Sequence, residues 1–183
     1  MPVESGAMFV EIKNSLGGVP VEFVPLAVVY KNAITEHLAL QDCFVVDIGE
    51  NETTLLSLRD GRFSHAAFIP LGARRITAPL PKLSGAAQWK KSFVSAIESF
   101  AAAGPLPADL LLTGGGAYIP EIRAALLAPD WMAGVSYAAA PRLRVLEGNT
   151  FFGGDTVGGY LQGAEDAGLA ALAVYAGARH PVF

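Results

Sequence analysis

The run Asp47-Ile48-Gly49-Glu50-Asn51-Glu52-Thr53-Thr54 gathers a carboxylate, a glycine, an amide and a hydroxyl pair in one short stretch. A polyphosphate bound together with a divalent metal can use all of them. Asp47 can orient metal-bound water and Gly49 lets backbone N–H groups approach oxygen, while Asn51, Thr53 and Thr54 offer hydrogen bonds. The same residues also suit a β-turn whose Asp, Asn and Gly serve only their own backbone. A second stretch, Leu112-Thr113-Gly114-Gly115-Gly116-Ala117, follows an apolar run and precedes a helix start. Glycines there remove every Cβ where a flat or phosphorylated ligand could rest, and the positive end of the next helix faces the same place. One glycine normally suffices for a strand-to-helix turn with positive φ. Three in a row therefore point to ligand contact. The spacing is neither that of a P-loop nor G-x-G-x-x-G.

These residues need elements to hold them. Cys43–Ile48, Thr53–Arg59 and Arg62–Ile69 read as three strands in a meander, with Asp60-Gly61 as a hairpin turn. Val21–Val24 suits a short strand, and Pro25 suits the first turn of a helix with Leu26, Val29, Tyr30, Ala33 and Leu38 near one face. Pro79 and Pro81 break any helix begun after Gly72. Ser84 is a candidate N-cap for an amphipathic helix carrying Trp89, Phe93, Ala96, Ile97 and Phe100, closed by Gly104-Pro105. That aromatic stripe reads as core. Asp109–Thr113 is a buried strand, Ile119–Leu127 a helix with Pro120 in its first turn, Val135–Ala138 a weaker strand, and Ala164–Gly177 a small-residue helix. The glycine-rich 148–163 region between them reads as a connector. The order β-β-β-α-β-α-β-α predicts an α/β fold: one mixed sheet with helices packed on it.

Bulk properties narrow the function classes. The chain has 183 residues, 52% of them hydrophobic and 16% charged, which fits one domain with a full core. A net charge of -4 argues against a phosphate-tracking nucleic-acid binder. No apolar run reaches the ~18 residues of a membrane span. Met1–Lys13 lacks the pattern of a signal peptide, so the expected location is cytoplasmic. Cys43 is the sole cysteine and sits in a strand-like run, as a small hydrophobe would. His37, His65 and His180 have no metal-ligand spacing.

As a pair, the two glycine sites resemble motifs of the actin-like ATPase superfamily, which includes hexokinase and the 70-kDa heat-shock chaperones. Asp47-Ile48-Gly49 through Thr53 is similar to its phosphate-2 hairpin. Thr113-Gly114-Gly115-Gly116-Ala117-Tyr118-Ile119-Pro120 is similar to its adenosine motif, and Ala167-Gly168-Leu169-Ala170 to its small-residue terminal helix. Phe68-Ile69-Pro70-Leu71-Gly72-Ala73 with Ile76-Thr77 resembles the segment after the hairpin in the bacterial branch of FtsA and PilM. The resemblance covers residues 20 to 178 and only the C-terminal half of the family's two-domain body.

The resemblance implies a ribonuclease H-like domain over 21–183, with 1–20 a remnant of or link to a first domain. It implies Mg-ATP as cofactor, with Asp47 orienting a magnesium-bound water. Gly49, Asn51, Thr53 and Thr54 would meet the phosphates, and Gly114, Gly115, Gly116 and Ala117 the adenosine. Thr54 stands where several relatives carry Asp or His, and a threonine has no useful basicity at pH 7. Glu50 and Asn51 replace frequent glycines, as does Glu121. Residues 1 to 41 hold no Asp-Gly-rich hairpin, so the other wall of the cleft must come from a first domain or a protein partner. The expectation is a nucleotide-binding half-domain that assists a cell-division or type IV pilus complex and can self-assemble. The alternatives are a non-hydrolysing scaffold on the same fold and part of a superfamily kinase.

Overall fold

A computed structural model describes residues 14–15, 22, 24–77, 85–102, 104–128, 134–152 and 160–179. A five-stranded sheet runs through it in the order β3-β2-β1-β4-β5. The strands are β1 Cys43–Ile48, β2 Thr53–Arg59, β3 Arg62–Ile69, β4 Asp109–Thr113 and β5 Arg142–Val145. β1 pairs antiparallel with β2, and β2 with β3. β1 pairs parallel with β4, and β4 with β5. The sheet is thus mixed, with a meander followed by crossover strands, as the element order predicts.

Strand alternation divides the sheet into two apolar faces. Phe44, Val46, Ile48, Leu55, Leu110 and Leu112 point to one face, which is covered by α3 (Gly85–Ala101) and α4 (Pro120–Leu127). Trp89, Phe93, Ile97 and Phe100 of α3 are buried there. Each stabilises the fold by about 2 kcal/mol through burial. Trp89 stacks on Phe93 with ring centroids 4.9 Å apart, and Phe100 meets Phe44 edge-on at 5.0 Å. Cys43, Val45, Leu56, Leu58 and Leu111 point to the other face, under α1 (Leu26–His37) and α5 (Ala167–Arg179). A short helix, α2 (Ala73–Ile76), follows β3.

The β2–β3 turn is tight because Asp60 and Gly61 both take positive φ, 50° and 65°. That matches the mirror-image turn an Asp-Gly pair favours. α5 begins later than the small-residue pattern suggests: Ala164–Asp166 is a 3-10 turn, and α-helix runs from Ala167.

Two local expectations are corrected. Val135–Ala138 is not a strand; Tyr137 pairs with Leu106 in an isolated bridge outside the named strands. The fifth strand is instead Arg142–Val145. Its Arg-Leu-Arg-Val alternation suits an edge strand with one wet face, and charge obscured it in a search for apolar runs. Pro79, Pro81, Ser84, most of 1–20 and much of the 148–163 region lie outside the described residues, as do Val21 and Phe23 of the first expected strand.

Candidate functional site

The two chemically loaded turns meet at one end of the sheet. β1 and β4 run parallel with Asp47 beside Thr113, so the 49–52 turn and the glycine triplet leave the same edge. Carboxyl ends of parallel strands are where open α/β sheets bind ligands. Asp47 is half-buried and faces the α1 side. Tyr30, buried in α1, donates its hydroxyl to Asp47 Oδ2 at 3.1 Å. Burial pushes the Asp47 carboxyl above the usual carboxylate range; the Tyr30 bond opposes that shift and the charge of Glu52 adds to it. Burial, then the Asp47 charge, pushes the Tyr30 phenol well above its ordinary value.

The three glycines do three different things. Gly114 takes φ +81°, and a Cβ on it would stand 2.5 Å from both Asp47 Oδ1 and Ile48 O. Gly116 is packed so closely on the Ile48 side chain that a Cβ would collide with it. Both are needed for the β4 turn to close on the end of β1. Gly115 has nothing within 4 Å of its Cβ position and is exposed. Ala117 is buried against the apolar face under α3 and α4. Of the four residues assigned to adenosine, Gly115 alone presents an open surface.

The hairpin divides just as sharply. Thr53 is fully buried; its hydroxyl donates to Leu71 O at 2.8 Å and accepts from Trp89 Nε1 at 2.9 Å. That hydroxyl is committed to the core. Thr54 points the other way, half-exposed, on the Asp47 face because the two residues pair directly. Gly49 N–H is taken within the turn by Glu52 O at 2.9 Å. Asn51 is exposed at the tip between Glu50 and Glu52. The tip is braced from behind, since Ala73 N donates to Gly49 O at 2.8 Å and Arg74 N to Glu50 O at 3.0 Å. Gly72 makes that contact, because a Cβ there would lie 2.5 Å from Asn51 N.

A third segment closes the side of the site. Thr113 Oγ1 and Gly114 N both donate to Ala164 O at 2.9 Å, anchoring the 3-10 turn that leads into α5 to the end of β4. Tyr118 donates to Glu147 Oε1 at 2.8 Å and accepts from Ala164 N at 3.3 Å. Neither Tyr30 nor Glu147 carries a site signal in the sequence, and Tyr118 stands there only as part of the motif that follows the glycine triplet. Tyr30 was visible only as one apolar position on a helix face, and Glu147 lies far along the chain from Tyr118. Among the described residues, no group of three His, Cys, Asp or Glu side chains could hold a metal ion. A magnesium ion at this edge would rest on Asp47 and on its ligand's own oxygens, the usual habit of that ion.

Solved structures share this architecture. The chain superimposes on a structure titled "PilM-PilN type IV pilus biogenesis complex" with a TM-score of 0.55 at 18% identity, over 85% of this chain and 52% of that one. It thus spans about half the length of that relative. It also matches (R)-2-hydroxyglutaryl-CoA dehydratase component A of Acidaminococcus fermentans with a TM-score of 0.51 at 12% identity, over 88% of this chain and 71% of that one. No protein-family model and no curated protein sequence matches the chain. The structural neighbours are members of the actin-like ATPase fold, and this chain has that fold over a part of the length of such proteins.

Proposed function

We propose that this chain forms one wall of a nucleotide site, working in an FtsA/PilM-like assembly protein whose second wall comes from another domain or partner chain. The observation that carries the reading is the junction of Asp47 with Gly114, whose missing Cβ leaves Asp47 Oδ1 and the β4 turn in close approach. Beside it, Gly115 offers bare backbone to a flat ligand, while Asp47 and Thr54 share one face of the hairpin. A magnesium ion bound with the triphosphate would supply positive charge against its oxygens. Asp47 would orient that ion's water. Thr54 would donate to a phosphate oxygen, and Gly115 would pass beneath the base or ribose.

The same residues limit the activity. Thr53 is committed to Trp89 and Leu71, Gly49 N–H is committed to Glu52, and Glu50 and Glu52 flank the tip with negative charge. A site open on one side is also exposed to water, where charge interactions are weak. Weak Mg-ATP binding and negligible hydrolysis by the isolated chain follow. The PilM-PilN neighbour favours a protein partner and pilus assembly over cell division, and the expected compartment is the cytoplasm. Among the described residues no helix is long and apolar enough to cross a membrane.

Titration calorimetry with Mg-ATP tests the reading, using Gly115→Val as the control. Gly115 has open space at its Cβ, so the variant keeps the fold while filling the proposed ligand surface. Heat from the native chain that vanishes in Gly115→Val supports the site. No heat at millimolar nucleotide rejects it in favour of the scaffold reading, and equal heat from both proteins rejects the Gly115 surface as the ligand's place.

A further inference from the structure

We propose that the β3 edge of the sheet is a docking site for an extended acidic segment of a partner protein, which adds to β3 as a sixth strand. β3 ends the sheet, and its outer edge has no strand partner among the described residues. It is long and open: every residue from Arg62 to Ala66 is exposed, and so is Phe68. An open edge of unpaired N–H and C=O groups is a template for another strand.

The side chains along the edge define the guest. β3 carries one extra residue between Phe63 and His65, and Ser64 spans that bulge by donating to Ser57 O at 3.1 Å. The bulge brings Phe63, Ala66 and Phe68 onto the same face, opposite Leu58, Leu56 and Thr54. Both phenylalanines are exposed there, 46% and 66%. On the opposite face α3 runs alongside the edge, with His65 against Phe100 at 5.4 Å. Between the end of β3 and α3 lies an open groove of about 400 Å³, lined by Phe68, Ile69 and Pro70 against Lys91, Ser92 and Ser95.

Charge selects the class of partner. From Gly61 to Ile97 the chain carries Arg62, Arg74, Arg75, Lys82, Lys90 and Lys91 and no Asp or Glu, although its net charge is -4. Within β3, α2 and α3 themselves the balance is basic, with Arg62, Arg74, Arg75, Lys90 and Lys91 against one carboxylate, Glu98. A second copy of β3 brings no carboxylate to Arg62 or to the neighbouring Lys91, whereas an acidic strand does. A strand with alternate acidic and apolar residues satisfies both faces at once. Its apolar positions cover Phe63 and Phe68, and its carboxylates face Lys91 and the α3 side. Main-chain bonds to β3 supply the rest. The nucleotide site plays no part in this docking.

The test uses the whole chain and a capped, fluorescein-labelled peptide of alternating Glu and Val. Anisotropy should show saturable binding, about tenfold weaker for an alternating Lys and Val peptide and for the Arg62→Glu/Lys91→Glu chain. Both substituted residues are exposed, so the fold should survive, and circular dichroism checks it. Hydrogen exchange should slow at amides of residues 62–69 when the peptide is bound. Equal binding of both peptides, or protection confined to other residues, overturns the proposal. So does concentration-dependent dimerisation through β3, or displacement of the peptide by a single-stranded oligonucleotide without β3 protection.

Discussion

Tyr30 Oη donates to Asp47 Oδ2 at 3.1 Å, tying α1 to the penultimate residue of β1. The bond holds the carboxylate of the proposed site in place, and it also keeps that carboxylate partly shielded from water. Tyr30→Phe should cost about 1–3 kcal/mol in chemical denaturation, because the lost partner served a charged acceptor. The same change should move the Asp47 carboxyl further upward, since the Tyr30 bond lowers it. An NMR titration of the Asp47 carboxyl carbon reads that direction.

Asp47 titrates above the usual carboxylate range in the fold, chiefly through burial. A group raised in the native state binds its proton more tightly there than when unfolded. Its contribution to stability is therefore full below the unfolded value near 4 and is lost as pH rises through the folded value. Asp47→Asn removes this penalty. The variant should gain on the native protein in urea midpoint as pH rises from 4 to 8, while any Mg-ATP heat disappears. A parallel pH dependence in the two proteins would contradict this assignment.

The glycine triplet should split in a stability scan. Gly114→Ala meets both a positive φ and the Asp47–Ile48 contact, and should cost about 2–4 kcal/mol. Gly116→Ala drives a methyl into Ile48 and belongs in the same range. Gly115→Ala should stay within about 0.5 kcal/mol. Thermal denaturation of the three variants is sufficient to see the pattern.

Thr53→Val should destabilise by about 2–3 kcal/mol, because Trp89 Nε1 and Leu71 O both lose a buried partner. Mg-ATP affinity should change less than twofold at matched folded fraction. Thr54→Val should do the reverse, with little effect on the urea midpoint and a measurable loss of calorimetric heat. Comparable loss of affinity in both variants would mean that the hairpin register is different in solution.

Cys43 is buried in β1, and burial, then Asp109 and Asp42, pushes its thiol up to about 12. The native protein should resist iodoacetamide at pH 8 and react fully in guanidinium. Mass spectrometry distinguishes the two, because a thiol this far from ionisation leaves almost no thiolate to react.

Periodicity and turn chemistry were legible along the chain. The meander of β1 to β3, the Asp60-Gly61 turn and the aromatic stripe of α3 rest on spacing between near neighbours. Such features depend on local backbone preference and on which residues avoid water. The actin-like fold rests on something else, the resemblance of two separate motifs, Asp47–Thr53 and Thr113–Pro120, to those of a known family. The fifth strand was not legible, since Arg142 and Arg144 hide its apolar alternation, and both arginines bond Asp109 across the sheet.

Sequence alternation says that Thr53 and Thr54 face opposite ways. Only the register against β1 and the arrival of Trp89 from α3 decide that Thr53 is inside and Thr54 outside. In the same way, three consecutive glycines look alike in sequence. The approach of Asp47 and Ile48 gives two of them packing roles and leaves Gly115 open. Tyr30 gained its role because the chain folds α1 over the end of β1, and one bulge turned Phe63 to the same side as Phe68. Each of these outcomes depends on contacts between distant segments, whose geometry is set by packing of the whole domain rather than by any local run of residues.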